Sequence, residues 1–257
     1  VNDRAIAETF EISRVLSRSF DTIGKNPGLF FGLSLVLAGA PSFLMSWWSA
    51  QLGVGRDPNA IFAMFQSSEF WLPMVGIWFV YVLTDAVLQG ALTRATVQSL
   101  TGETPGFAEC LEIGLIRLLP IVVIDLLVTI GTSLGMMLLI VPGVILALCW
   151  AVAVPAYVEE RIGIAESFNR SLELTRGERG NIFLVMLVVV VILWIIGMIT
   201  SAINMAGGGN PLVAAVAGGL DGTISRMVWV AVIAVIYVDL RAAKEGPRTN
   251  ELETVFS

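Results

Sequence analysis

Between residues 118 and 158 the chain carries a single charged side chain, Asp125. Built as one helix, that stretch would run about 60 Å at ~1.5 Å per residue, roughly twice the hydrocarbon thickness of a bilayer. It must therefore fold back on itself. The obvious place is Val141-Pro142-Gly143, because Pro suits the first position of one helix and Gly the end of the helix before it. Two spans result, over about 119–140 and 142–158. Four further apolar stretches supply the rest, over about 28–51, 70–93, 180–203 and 212–240. Only 14% of the residues are charged and 56% are hydrophobic; soluble domains carry roughly 25% charged residues, so a soluble helical core is excluded. The expected fold is all-α: a polytopic membrane protein with six transmembrane helices arranged as three hairpins.

Loop charges orient these spans. Thirteen of the fifteen Lys and Arg residues fall before span one, between spans two and three, between four and five, or after six. The opposite loops hold only Arg56, and Arg226 lies within span six. The positive-inside rule then places both the N-terminus and the C-terminus in the cytoplasm.

A short phrase recurs ahead of each hairpin: Ile6-Ala7-Glu8-Thr9-Phe10-Glu11, Phe107-Ala108-Glu109-Cys110-Leu111-Glu112 and Ile164-Ala165-Glu166-Ser167-Phe168-Asn169. An internal repeat fixes architecture before any single residue does. The phrases divide one integral membrane domain, 1–257, into units of about 3–100, 101–160 and 161–240, with 241–257 as a short cytoplasmic tail. Each phrase is expected to open an amphipathic helix at the cytoplasmic interface, its apolar face immersed. In the first helix Ile6, Phe10, Ile12, Leu16, Phe20 and Ile23 share one side at 100° per residue, with Val15 as the misfit. In the second the stripe is Phe107, Leu111, Leu115 and Leu118. In the third it is Ile164, Phe168 and Leu172, with Glu166 and Arg170 paired one turn apart on the far face. The mixed charges on these helices argue against a dedicated anionic-lipid anchor.

There is no histidine, which removes His-based zinc sites, His general bases and Ser-His or Cys-His catalysis. Cys110 and Cys149 alone make no metal site. No catalytic, cofactor-binding or metal-binding set emerges. The net charge of −6, without a basic stretch interleaved by aromatics, excludes a nucleic-acid partner. Membrane lipids are the expected contacts, together with a second membrane protein as an option.

The chemistry-bearing residues are the charges inside the spans. An Asp at mid-bilayer costs about 2.5–3.5 kcal/mol on the insertion scale, so ionisable groups there are candidates for function. Asp85 and Gln89 share a face of span two. Asp125 lies about two turns from the cytoplasmic end of span three. Asp221 and Arg226 fall in the outer half of span six, five residues apart and badly spaced to pair with each other. Arg226 is expected to meet a carboxylate on another span or to snorkel outward. Gly131 with Gly135, and Gly218 with Gly222, give the GxxxG spacing that lets helix backbones approach closely.

Val141-Pro142-Gly143-Val144-Ile145-Leu146-Ala147, Ala153-Val154-Pro155-Ala156, Ala165-Glu166-Ser167-Phe168, Ser171-Leu172-Glu173-Leu174-Thr175-Arg176-Gly177 and Tyr237-Val238-Asp239-Leu240-Arg241 follow one another in order. This series resembles the membrane domain attached to some bacterial glycerophosphodiester phosphodiesterases, and its free-standing six-helix relatives of unassigned activity. The resemblance implies a multi-pass protein of the bacterial inner membrane. It does not carry the phosphodiesterase, which belongs to a separate soluble barrel with catalytic histidines. Tyr237, Asp239 and Arg241 are expected to anchor span six at the interface, Tyr in the aromatic belt and Arg on the positive side. The leading expectation is a non-enzymatic accessory or organising membrane protein. The alternative is a small transporter or channel using Asp85 and the Asp221/Arg226 region.

Overall fold

The computed structural model describes residues 11–51, 68–208 and 210–246. Among them there are helices and connecting turns and no strand. The helices are α1 (Ile12–Lys25), α2 (Pro27–Ser34), α3 (Ala40–Gln51), α4 (Ser68–Leu100), α5 (Phe107–Ile116), α6 (Leu118–Leu138), α7 (Ile140–Cys149), α8 (Ala153–Glu160), α9 (Ile164–Thr175), α10 (Arg179–Ala206) and α11 (Pro211–Glu245). Six segments are long and apolar enough to cross a membrane: Pro27–Gln51, Pro73–Leu100, Leu118–Leu138, Ile140–Glu160, Arg179–Ala206 and Pro211–Glu245. The protein is a helical polytopic membrane protein. In chain order, a short helix precedes a pair of spans three times: α1, α5 and α9. Phe107 and Ile164 each open their helix; the first recurring phrase, apart from Glu11, lies outside the described residues, as does the tail beyond Gly246.

Two prolines shape the spans. In span one the ladder slips into a π-turn at Leu35–Gly39, where the Ala40 N–H reaches the Leu35 carbonyl one residue ahead of Pro41. Proline has no N–H to continue the ordinary register, so a wider turn absorbs the misfit. In span four the helix breaks into α7 and α8 across residues 150–152. Pro155 causes this: its ring clashes with the carbonyl four residues back, at Ala151.

The hairpin of spans three and four reverses at Leu139, whose backbone is extended (φ −160°, ψ 142°), and not at Val141–Gly143. Pro142 lies in the first turn of α7. Gly143 sits inside that helix, because a Cβ there would collide with Met136 on the opposite arm. The role of Gly143 is close packing rather than chain reversal.

Span six is the centre of the bundle, with 67% of its apolar window buried, against 17% for spans three and five. Its most extensive contact is with α3 of span one. Side chains added at Gly218 or Gly222 would run into Ser46 and Ser42, and one at Gly219 would stand 3.2 Å from the Phe43 Cβ. In span three, Gly131 is covered by the Trp150 ring, and Gly135 lies against the Gly143 Cα. Both GxxxG pairs are thus used within the chain. Such close approach replaces the hydrophobic driving force that helices lack in lipid.

The short helices depart from the simple picture of apolar stripes immersed in lipid. In α1 the buried side is Val15, Ser19 and Thr22, so Val15 is the middle of the docking face and no misfit. Ile12, Leu16 and Ile23 pack beside it on a core with Val232, Val235, Ile236 and Leu240 of span six. Phe20 stays exposed. In α9 the buried side is Ser167, Ser171, Leu174 and Thr175. Small polar side chains win this face because the break in span four offers them backbone partners. Ser171 Oγ donates to the Cys149 carbonyl at 2.8 Å and accepts from the Val152 N–H at 3.3 Å. Trp150, at the break, meets Phe168 edge to face with centroids 5.2 Å apart. The expected Glu166–Arg170 pair does not form: Glu166 turns back to accept from the Gly163 N–H at 2.9 Å, and Arg170 binds elsewhere. In α5, Cys110 and Gly114 are buried while Phe107 and Leu115 face outward.

Candidate functional site

Four of the five intramembrane polar candidates come together. Span two brings Asp85 and Gln89 to one face, one helical turn apart, and span six brings Arg226 across to it. Arg226 Nε donates to Asp85 Oδ1 at 2.6 Å, and Nη2 donates to Oδ2, a two-point grip. Gln89 Nε2 donates to Asp85 Oδ2 at 3.0 Å and to Asp125 Oδ2 of span three at 2.7 Å. One guanidinium, one amide and two carboxylates therefore tie spans two, three and six. The geometry is the planar fork that makes Arg the preferred partner of carboxylates. It answers the cost of placing these charges in lipid, since each group has a partner of fitting chemistry. The Arg226 and Asp85 side chains are 24% and 13% exposed, so the pair is largely enclosed by the helices.

Asp221 stands apart from this cluster. It lines a cavity of about 590 Å³ between spans one, five and six, with Ser46, Ser49, Thr200, Ser201 and Asn204. None of Asp85, Gln89, Asp125 and Arg226 lines it. Asp221 and Arg226 do not share one region: the two point to different neighbours because five residues on a helix rotate by about 500°, or roughly 140° around the axis.

Two of the three residues expected as interface anchors, Tyr237 and Asp239, are inside the protein, while Arg241 is 30% exposed. Tyr237 is 1% and Asp239 3% exposed, so neither faces headgroups. The Tyr237 hydroxyl donates to Glu160 Oε1 at 2.9 Å and accepts from Arg241 at 3.3 Å. Asp239 is bound by Arg18 of α1. Arg170 of α9 donates through Nε to both Glu160 oxygens, at 2.9 and 2.8 Å, and also reaches Glu245. Arg241 holds Glu245 at 2.8 Å. Burial wins because span six is central: side chains at its basic end meet α1, α8 and α9 before they reach lipid.

This second network, on the face rich in Arg and Lys, contains residues that the sequence alone did not single out. Arg94 links Glu159 at 3.3 Å and Glu109 at 3.4 Å, joining span two, span four and α5. Gln98 supports Glu109 at 2.8 Å. The Cys110 thiol lies against Gln98 Oε1 at 3.7 Å; burial, followed by the nearby Glu109 charge, pushes it up to about 11. The signal present in the sequence was Glu159-Glu160, a carboxylate pair closing an otherwise apolar span.

On the same face a smaller cavity of about 220 Å³ is lined by Ile116, Arg117, Tyr157, Arg161 and Ile162. Arg117 Nη1 donates to the Tyr157 carbonyl at 2.8 Å, and its guanidinium lies 5.4 Å from the centre of the Tyr157 ring. Arg161 is the one described non-glycine residue with a positive φ, 54°. A left-handed residue of this kind costs about 1–3 kcal/mol.

Among the described residues no group of three or more Cys, Asp or Glu side chains gathers as a metal site. Fold and clusters together define a polytopic helical membrane protein in which Asp85, Asp125 and Arg226 are cross-linked between spans. Comparison with protein-family models, curated proteins and solved structures finds no match to this chain.

Proposed function

We propose that this chain is a non-enzymatic accessory or organising protein of a bacterial inner membrane, contacting lipid or a partner membrane protein. Both described ends face the cytoplasm on this reading, as the distribution of Lys and Arg requires. The resemblance to the phosphodiesterase-associated membrane domain points the same way. The observation that carries the reading is the Asp85–Arg226–Gln89–Asp125 cluster. Its members bind one another across three spans, and none of them lines the large cavity beside Asp221. Charges spent on each other hold helices together; charges along a conduit would face water. The exposed Phe107 and Leu115 of α5 suit a helix resting in the headgroup layer.

The test is photo-cross-linking from Phe107 and Leu115 in living cells, with a deletion strain scored for envelope integrity. A reproducible protein or lipid adduct with an envelope defect is expected. No reproducible adduct and an intact envelope on deletion would overturn the proposal.

A second reading, a small transporter, is favoured by the cavity at Asp221. Its size falls within the ~300–1,000 Å³ typical of small-molecule sites, and one carboxylate lies among hydroxyl and amide groups. On that reading purified protein in liposomes carries a cationic solute, and D221N or D85N reduces the flux.

A further inference from the structure

We propose that Arg117 and Arg161 form a binding site for a phosphate group, at the cytoplasmic boundary where spans three and four meet. The proposal deepens the accessory reading by naming what the protein would hold, and rests on that reading for its place at the inner leaflet.

Two independent features converge on this cavity. First, two guanidiniums line one space of about 220 Å³. That is room for a phosphate and a few waters at roughly 30 Å³ per water. Among the described residues neither makes an ion pair with a carboxylate, a property shared by no other arginine but Arg176 and Arg179, whereas Arg18, Arg94, Arg170, Arg226 and Arg241 are matched to Asp or Glu. Arg117 spends one nitrogen on the Tyr157 carbonyl and stacks on the Tyr157 ring. That contact orients the fork and leaves donors over. Planar, bidentate donors are what recognition of phosphate oxygens uses.

Second, Arg161 is held left-handed at the end of α8, where glycine or asparagine is the usual choice. A cap alone would be better served by glycine. Arginine in a strained position is explained when its side chain is what the site needs. The apolar lining extends the case: Ile116 is 72% exposed at its edge, a surface for acyl chains when the phosphate belongs to a phospholipid.

The phosphate has two possible sources, an anionic phospholipid headgroup or phosphate in solution, and one experiment separates them. The full chain is placed in nanodiscs of phosphatidylcholine with or without phosphatidylglycerol. Native mass spectrometry counts retained lipid, and calorimetry follows inorganic phosphate added to the phosphatidylcholine discs. R117Q and R161G are run alongside, with thermal unfolding of each. Retention of phosphatidylglycerol by the wild type, cut at least fivefold in both variants, supports the site with lipid as source. Binding of inorganic phosphate, cut similarly, supports it with a soluble source. R161G should also unfold at a higher temperature than the wild type, because glycine relieves the left-handed residue while binding is lost. Neither probe binding, or both variants binding as the wild type does, overturns the proposal. Solute flux by the wild type in liposomes would instead remove the accessory reading and leave the arginine site standing.

Discussion

Replacing Asp85 by Leu should destabilise the protein more than replacing Asp85 and Arg226 together. The single change leaves the Arg226 guanidinium among the helices without the carboxylate it bonds, while Asp125 nearby stays held by Gln89. Removing one member of an enclosed ion pair costs about 3–5 kcal/mol. The 24% exposure of Arg226 lets it reach partly toward the headgroups, so the lower end, about 3 kcal/mol, is expected. R226M strands Asp85 in the same way, eased by its remaining bond to Gln89. The pair D85L/R226M removes both charges at similar volume and should return to within about 1 kcal/mol of the wild type. The coupling energy of the cycle, the two single losses less the double, is then about 5 kcal/mol. For a chain this long each kcal/mol is worth about 2–4 °C, so each single variant should melt roughly 6–12 °C lower. Thermal unfolding of the purified chain in detergent, followed by tryptophan fluorescence and repeated as an SDS titration, measures all four corners. A double variant that falls by the sum of the two singles would refute the reasoning.

The other predictions concern packing, the span break and the thiol. G114A should cost about 1–3 kcal/mol in thermal unfolding, because the added Cβ meets the Val87 carbonyl, a backbone atom that cannot yield; G24A, in open space, is the control. S171A leaves the Cys149 carbonyl and Val152 N–H without their shared partner and should cost about 1–3 kcal/mol, read by the same assay. Cys110 holds its proton up to about 11 against an ordinary 9.0. The folded state therefore gains full benefit below pH 9 and loses it as pH rises toward 11, and maleimide labelling of Cys110 should stay slow at pH 8 until SDS unfolds the chain. D239N should loosen α1 from span six by breaking its bond with Arg18, seen as faster proteolysis within residues 12–25.

Spans were legible because length and apolarity are set by the bilayer, and the 118–158 stretch had to reverse somewhere. The exact reversal was not. Pro142 and Gly143 read as a turn, yet a proline tolerated in a first helical turn and a glycine used for close packing leave the same trace in a sequence. The residues of the intramembrane cluster were legible one at a time, since charges in lipid are rare. Which carboxylate Arg226 meets depends on how spans two, three and six are arranged, and no local pattern carries that. Val15 shows the limit of helical periodicity: a face chosen by counting apolar residues gave way to one where Ser19 and Thr22 fit against span six. Tyr237 and Asp239 were misplaced for a related reason, because the aromatic-belt rule assumes a lipid-facing helix, and span six is the buried one. Arg117 and Arg161 stand far apart in sequence and look like ordinary loop charges until the hairpin of spans three and four brings them to one cavity.

The central claim, that the membrane-embedded charges are spent on holding three spans together, is tested most directly by solute permeation. Proteoliposomes containing the wild type and D85L/R226M, matched for protein content, are followed for uptake of protons and of small cationic and anionic solutes. The account predicts that both vesicle sets are as tight as protein-free ones. Uptake through the wild type that disappears in the double variant would contradict it.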